Sequence, residues 1–479
     1  MDFALESCWY IAGDLPAMTV LHAETALTPE GWRNDIAIHI DEDGLISEVL
    51  PIAEARKRGG IYSPDHQLGI VLPAAVNIHS HAFQRAMAGL TEYRGKAGSD
   101  SFWSWRVLMY HFLGQLDPDQ VEAIAAFVQM EMLEAGYAGC AEFHYLHNQP
   151  DGTPYDDSAE LGKRIMAAAN ETGIGLILLP VQYQYGGCDR RPLSGGQRRF
   201  HTTPEQYASM LGALEAALPQ LPADCSLGLA PHSIRAVAPE TLGILETLAA
   251  GRPLHIHLAE QPAEVEEVIA IHGARPGEWL ADRVTLSPQW CLIHSTQLTG
   301  HEVSRLAGSG AVAGLCPITE QSLGDGIFAG RAWMDAGGAI AIGSDSNIRI
   351  ALAEELRSLE YSQRLRDHAR AVLASQTHST ARYLYQAVTA GGACASQRNS
   401  GAIAAGFLAD IVSLDSRAIA FHGREGDQLL DSFVFTADDR VISDVWSAGR
   451  HCVHQGRHHD HGQITRRYRA VLDQLGAVL

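Results

Sequence analysis

Pro253-Leu-His255-Ile-His257-Leu-Ala-Glu260 decides how this chain is read. An apolar run of strand length is closed by an imidazole, and a carboxylate follows three residues later. Seven further short apolar segments resemble it, at 74–79, 138–144, 174–181, 226–232, 290–295, 311–316 and 339–345. Amphipathic or Gly/Pro-punctuated stretches separate them. In 117–136, Asp117 suits an N-cap, Pro118 the first helical position and Gly136 the stop, while Val121, Ile124, Val128 and Met132 recur at helical spacing. Eight such units predict an α/β chain built on a (β/α)8 TIM barrel. Most of the segments end in polar residues, and barrel active sites form at the C-terminal ends of strands.

The flanks alternate with a period of two over 17–52 and 402–453, with a turn expected at Asp43-Gly44. The N- and C-terminal segments are therefore expected to pair into a small β-sandwich. The organisation expected is 1–70 for the N-terminal part of the sandwich, 71–400 for the barrel, and 401–479 for the rest of the sandwich and a terminal helix. Stretches 364–384 and 466–479 read as helical, and the His-rich tract 454–461 as an exposed polar loop.

Bulk properties narrow the function. The 479 residues are 46% hydrophobic and 19% charged, with a formal net charge of −21. A polyanion meets repulsion on such a surface, which argues against nucleic acid or an anionic membrane as partner and for small molecules. No apolar run reaches membrane-helix length. Residues Met1 to Tyr10 carry Asp2 and Glu6 and lack a signal-like pattern, so a cytoplasmic location is expected. The eight cysteines are scattered without a C-x-x-C pair, which reads as reduced structural thiols. A homodimer is expected only as the symmetric default.

His79-Ser80-His81 places two imidazoles on one face of a strand, able to grip one ion. The motif alone is weak, because 23 histidines make about one H-x-H expected by chance. Indeed His255-Ile-His257 and His459-Asp-His461 share it. Context gives it weight: His257 with Glu260, then His294 ending another strand, then Asp345 in Gly343-Ser-Asp345-Ser-Asn347. A ligand beside a separate carboxylate is what metal-assisted hydrolysis needs, since an ion activates water while the acid moves its proton.

In that order these residues resemble the amidohydrolase superfamily, in its deaminase branch. The run 401–412, Gly-Ala-Ile-Ala-Ala-Gly-Phe-Leu-Ala-Asp-Ile-Val, resembles the same family where its chain returns to the small sheet domain. The resemblance implies that His79, His81, His257 and Asp345 hold a metal while Glu260 and His294, with Asp345, carry out proton transfer. Binuclear members use a strand-four lysine, but lysine occurs here only at 57, 96 and 163. One divalent ion is therefore expected, and the His3Asp set suits Zn2+ while tolerating other ions.

The runs at 81–92, 141–147, 317–328 and 354–361 are similar to the formimidoylglutamate deiminases of histidine breakdown. That family converts N-formimino-L-glutamate and water to N-formyl-L-glutamate and ammonia. Such a substrate is a dicarboxylate, which in an acidic protein needs arginines able to grip planar carboxylates bidentately. Arg235, just past His232, and Arg106, in the long loop after the first strand, are the candidates by position and resemblance. Gln84, Tyr145 and His232 resemble the family's further substrate contacts, and Trp103 and Trp105 are placed to close over a pocket. The rival readings are a guanine- or cytosine-type deaminase, a triazine chlorohydrolase, and a non-enzymatic scaffold that has lost its chemistry.

Overall fold

Asp117 caps the helix Pro118–Glu134 reciprocally: its carboxylate accepts from Gln120 N at 2.8 Å, and Gln120 Oε1 accepts from Asp117 N at 3.1 Å. Val121, Ile124, Val128 and Met132 are all buried, and Gly136 at φ +89° turns the chain into the strand Tyr137–His144. The same alternation of helix and buried parallel strand repeats around the barrel. The computed structural model describes residues 18–57, 64–92 and 102–476, apart from the side chains of Trp103 and Ser104.

The barrel strands are Ala75–Ser80, Tyr137–His144, Gly175–Gln182, the split pair Ser226–Leu227 and Ala230–Pro231, Leu254–Leu258, Trp290–His294, Val312–Leu315 and Ala339–Ile342. All eight expected segments are present, and successive strands pair in parallel. Two junctions close the ring. The bridges Leu229↔Leu254 and Ser233↔His257 join the fourth strand to the fifth, and Ser80↔Asp345 joins the first to the eighth. At the latter junction Asp345 N donates to His79 O at 2.9 Å, and His81 N donates to Asp345 O at 2.9 Å. Gly343 makes that approach possible, because a Cβ there would lie 2.7 Å from both His79 N and His79 O.

The flanking strands hydrogen-bond into one eight-stranded sheet. Its N- and C-terminal halves meet where His66–Pro73 runs antiparallel to Ile411–Leu414. The two halves share a small core of their own, which includes Leu21, Ile38, Ile411 and Trp446. The sheet lies against the N-terminal ends of the barrel strands. Ser447 Oγ accepts from Gly175 N at 3.0 Å and donates to Ala138 O at 2.7 Å. Arg398 pairs with Asp410 at 2.6 Å and with Asp224 at 2.8 Å, and Arg450 reaches Asp224 at 2.7 Å. The opposite end of the barrel is left for chemistry.

Three local expectations are corrected. Stretch 364–384 is not one helix: Leu352–Asp367 ends at His368, φ +51°, and Thr380–Ser396 begins after the capping residue Ser379. The intervening loop is tied down by the buried Glu360 carboxylate, which accepts from Val372 N and Leu373 N at 2.9 Å each. The His-rich tract is largely exposed, as expected, but is not a loop. Gln455 and Gly456, both at positive φ, make a two-residue turn that pairs Arg450–His454 with Arg457–His458, and buried His458 bonds Thr172 O at 2.9 Å. The long segment after the first strand carries a helix, Phe102–Leu113. No described helix is long and apolar enough to cross a membrane.

Candidate active site

Three strand ends carry a residue in the left-handed region: Ala259 at φ +51°, His294 at +67° and Asp345 at +47°. Such conformations cost of order 1–3 kcal/mol each for non-glycine residues, and persist only where surrounding bonds impose them. Here the strand-to-strand bonds from Asp345 N and from Ser295 N to Leu258 O impose them. The result turns His294 and Asp345 toward the barrel axis.

There the imidazoles converge. His79 Nε2 lies 3.1 Å from His257 Nε2 and 3.6 Å from Asp345 Oδ1, while His81 Nε2 lies 3.3 Å from the same oxygen. His81 Nδ1 bonds Phe143 O and His257 Nδ1 bonds His232 O, each at 3.0 Å. A carbonyl can only accept, so both Nδ1 atoms carry the proton and both Nε2 lone pairs point into the centre. Burial, reinforced by the neighbouring histidines, pushes His79 and His257 well below the usual imidazole range; burial brings His81 down to about 3. Neutral imidazoles beside a carboxylate fit one divalent ion.

His294 differs from them. Burial opposes its charge, yet Glu260, the hydrogen bond it donates to Glu320, and Asp345 together hold it well above the usual range. Its Nδ1 faces Glu320 Oε1 at 3.3 Å, and its Nε2 lies 3.8 Å from both Glu260 Oε1 and Asp345 Oδ2. A cationic ring among three carboxylates is suited to holding and passing protons. Asp345 is raised to about 7, by burial first, with Glu260 and Glu320 adding and His294 opposing.

A cavity opens above these groups. His81, Gln84, Arg106, Tyr145, His232, Arg235, His257, Glu260, His294 and Asp345 all line it, and His79 lies fully buried beneath. Every candidate from the sequence is thus brought to one place. Gln84 Nε2 donates to Tyr145 OH at 2.8 Å, leaving the buried Gln84 Oε1 without a hydrogen-bond partner among the described residues. Arg106 Nη2 donates to Tyr183 OH at 3.1 Å. Arg235 is 6% exposed, and its Nε has no partner among the described residues. Burial opposes its charge, but Tyr183, Glu264, Tyr110 and Glu260 keep it protonated.

Phe102, Trp105, Arg106, Met109 and Tyr110 all line the cavity, at the i, i+3, i+4, i+7 and i+8 positions of one face of Phe102–Leu113. Trp105 is therefore where the sequence placed it, whereas the side chain of Trp103 lies outside the described residues. Sequence reasoning missed Tyr110, Tyr183, Glu264 and Glu320. Tyr183 directly follows the third strand, so the strand-end rule applied to every strand would have found it. Glu264 accepts from Glu260 N at 3.0 Å and is raised by burial to about 7. Only tertiary contact reveals that role.

The amidohydrolase family model matches residues 70–452, and the model of the formimidoylglutamate deiminase HutF N-terminal domain matches residues 18–57. A formimidoylglutamate deiminase of Pseudomonas aeruginosa is 45% identical over 462 residues, covering 96% of this chain and 100% of that protein. The crystal structure of an amidohydrolase from Brucella melitensis superposes with a TM-score of 0.89 at 42% identity, over 95% of this chain and 99% of that one. An adenosine deaminase from Xanthomonas campestris with bound zinc shares the fold, with a TM-score of 0.81 at 22% identity over 96% of this chain and 98% of its own. The chain belongs to the amidohydrolase family, and within it to the formimidoylglutamate deiminases.

Proposed function

We propose that the chain hydrolyses N-formimino-L-glutamate to N-formyl-L-glutamate and ammonia. The observation that carries this reading is Arg235: a buried guanidinium whose Nε has no hydrogen-bond partner among the described residues, in the same cavity as the convergent histidines and Arg106. A buried guanidinium with an open donor facing a cavity is completed by an anion that enters it. The substrate's two carboxylates supply that anion, whereas a neutral nucleobase or triazine does not.

His79, His81, His257 and Asp345 would hold one divalent ion, for which Zn2+ suits the donor set. When bound, such an ion brings the pKa of water from 15.7 down towards about 7. The chain's own groups do the rest. Arg235 and Arg106 fix the carboxylates and so aim the formimino carbon at the convergent histidines and Glu260. Gln84 Oε1 accepts an amidine N–H, with Tyr145 fixing the amide's orientation. As water oxygen adds to the formimino carbon, Glu260 takes its proton and passes it to the imino nitrogen, giving a tetrahedral aminol, while the cationic His294 donates toward the oxygen beside Asp345. Glu260 then carries the hydroxyl's remaining proton to the amino nitrogen, the C–N bond breaks as the formyl C=O forms, and ammonia leaves. The helix Phe102–Leu113 shields the cavity from bulk water.

The test is ammonia release by the metal-loaded enzyme from formiminoglutamate, guanine, cytosine and a chlorotriazine in parallel. Turnover of formiminoglutamate alone is expected. Turnover of a nucleobase or triazine without formiminoglutamate would reassign the substrate, and inactivity on all four would remove the deiminase reading.

A further inference from the structure

His451 and His454 are three residues apart on one strand, where a regular pleat would send their side chains to opposite faces. They nevertheless reach the same atom: His451 Nε2 lies 3.0 Å and His454 Nδ1 2.9 Å from Asp444 Oδ1. The backbone explains how. In the pairing of Ile442–Ser447 with Arg450–His454, Asp444 faces His454 and Val445 faces Val453, but Trp446 faces His451. Cys452 is therefore an extra residue, a β-bulge that brings His451 back to the face occupied by His454 and Asp444. Bulges re-aim side chains in this way, often at functional positions.

The surroundings fix the cluster further. The His451 ring stacks on the buried Trp446 indole, with centroids 4.2 Å apart and an interplanar angle of 7°. His66, from the N-terminal half of the sheet, stands edge-on to His451 at 4.7 Å. Asp444 is largely buried, while the His454 side chain is 65% exposed and leaves the cluster open to solvent. One donor atom from each of the three residues lies within 4.8 Å of the others.

We propose that Asp444, His451 and His454 form a second divalent-metal site, on the terminal sheet, for an ion of the Zn2+ class. Two imidazoles and one carboxylate suit that class, and solvent completes the coordination. Bond lengths of about 2.0–2.2 Å place neighbouring tetrahedral ligands about 3.3 Å apart. The observed 3.0 and 2.9 Å need only a small outward shift of each ring, and the exposed His454 is free to make it. The site is separate from the barrel site, since this sheet lies against the opposite ends of the barrel strands. An ion here would clamp the two last-paired long strands of the sheet and, through His451, the ring of His66. Its role is structural, and the inference does not depend on which substrate the barrel takes.

Zn2+ alone is the probe. Chelator-stripped full-length protein is reloaded with Zn2+, dialysed, and assayed for metal per chain and for melting temperature. Wild type is expected to hold one equivalent beyond the barrel site and to melt higher with Zn2+ than the variants do. His454→Ala and, separately, Asp444→Asn should lose that equivalent while keeping the barrel-site metal and turnover. His454 is exposed, so its substitution leaves folding intact and keeps the test decisive if Asp444→Asn misfolds. A control double variant, His459→Ala with His461→Ala, should keep the equivalent. Equal metal content in wild type and His454→Ala, or loss of the equivalent only in the control, would overturn the proposal.

Discussion

Replacing Arg235 with methionine keeps the stem and removes the guanidinium, and its consequence can be worked from the structure. Arg235 is 6% exposed, so no bulk water replaces it against a bound carboxylate. Truncating one side of a buried, hydrogen-bonded charge pair costs about 2–5 kcal/mol. At about 1.4 kcal/mol per decade this is about 30-fold to about 5,000-fold in kcat/KM. Burial places the expectation in the upper half, about 300-fold or more. The loss should fall mainly on KM, because the carboxylate is bound alike in ground and transition states. Stability should hold, because the variant no longer buries a charge, and Glu264, already raised to about 7, simply stays protonated over more of the pH range. The assay is steady-state ammonia release from formiminoglutamate and from a simple N-alkylformamidine that lacks both carboxylates. Wild type should prefer the former strongly, and the variant should lose most of that preference while acting on the formamidine unchanged. An equal loss on both substrates would show that Arg235 serves the reacting centre or the fold, and would refute the carboxylate argument.

Glu260→Gln removes the proton carrier without touching the convergent histidines, so metal content should be retained while kcat falls about 10²- to 10⁴-fold; unchanged turnover would take Glu260 out of proton transfer. Gly343→Ala puts a Cβ 2.7 Å from His79 N and O, so the eighth strand must back away from the first. Reduced metal content together with a lower melting temperature is the expected result, and normal metal binding would show that the junction yields. Asp224 is held at about 2: burial works against its charge, but Arg398 and Arg450 overcome it. Its folded pKa lies below its unfolded value, so its contribution of about 2 kcal/mol is full above about pH 4 and is lost as pH falls towards about 2. Asp224→Asn should therefore be less stable at neutral pH and show a shallower loss of stability over that acid window, read from urea unfolding at several pH values; parallel curves for the two proteins would refute the linkage.

The strands and their chemistry were legible because the signals are local. A buried parallel strand reads as a short apolar run, and alternation by two fixes which side chains share a face. That placed His79 beside His81 and carried Glu260, His294 and Asp345 to the strand ends. The capping box at Asp117 set one helix start almost to the residue. The failures were also local in origin. Helical periodicity ran across the break at His368, and a polar composition hid the Gln455-Gly456 turn.

Three H-x-H pairs stand in this sequence, and nothing in their spacing tells them apart. The tertiary structure decided between them. His79 and His81 meet His257 at the mouth of the barrel; His255 sits deeper and bonds Ala395 O; His459 and His461 lie outside the barrel beside Cys452 and Glu134. The sequence by itself determined which residue types end which strands, because side-chain direction along a strand follows from the backbone repeat alone. Which strand ends become neighbours, that Glu264 braces Glu260 and that Tyr183 meets Arg106, and that a bulge at Cys452 gathers a second His/Asp cluster were decided only by the closed barrel and its sheet. Those contacts join residues far apart in the chain, and they are set by the packing of the whole molecule, to which no local pattern refers.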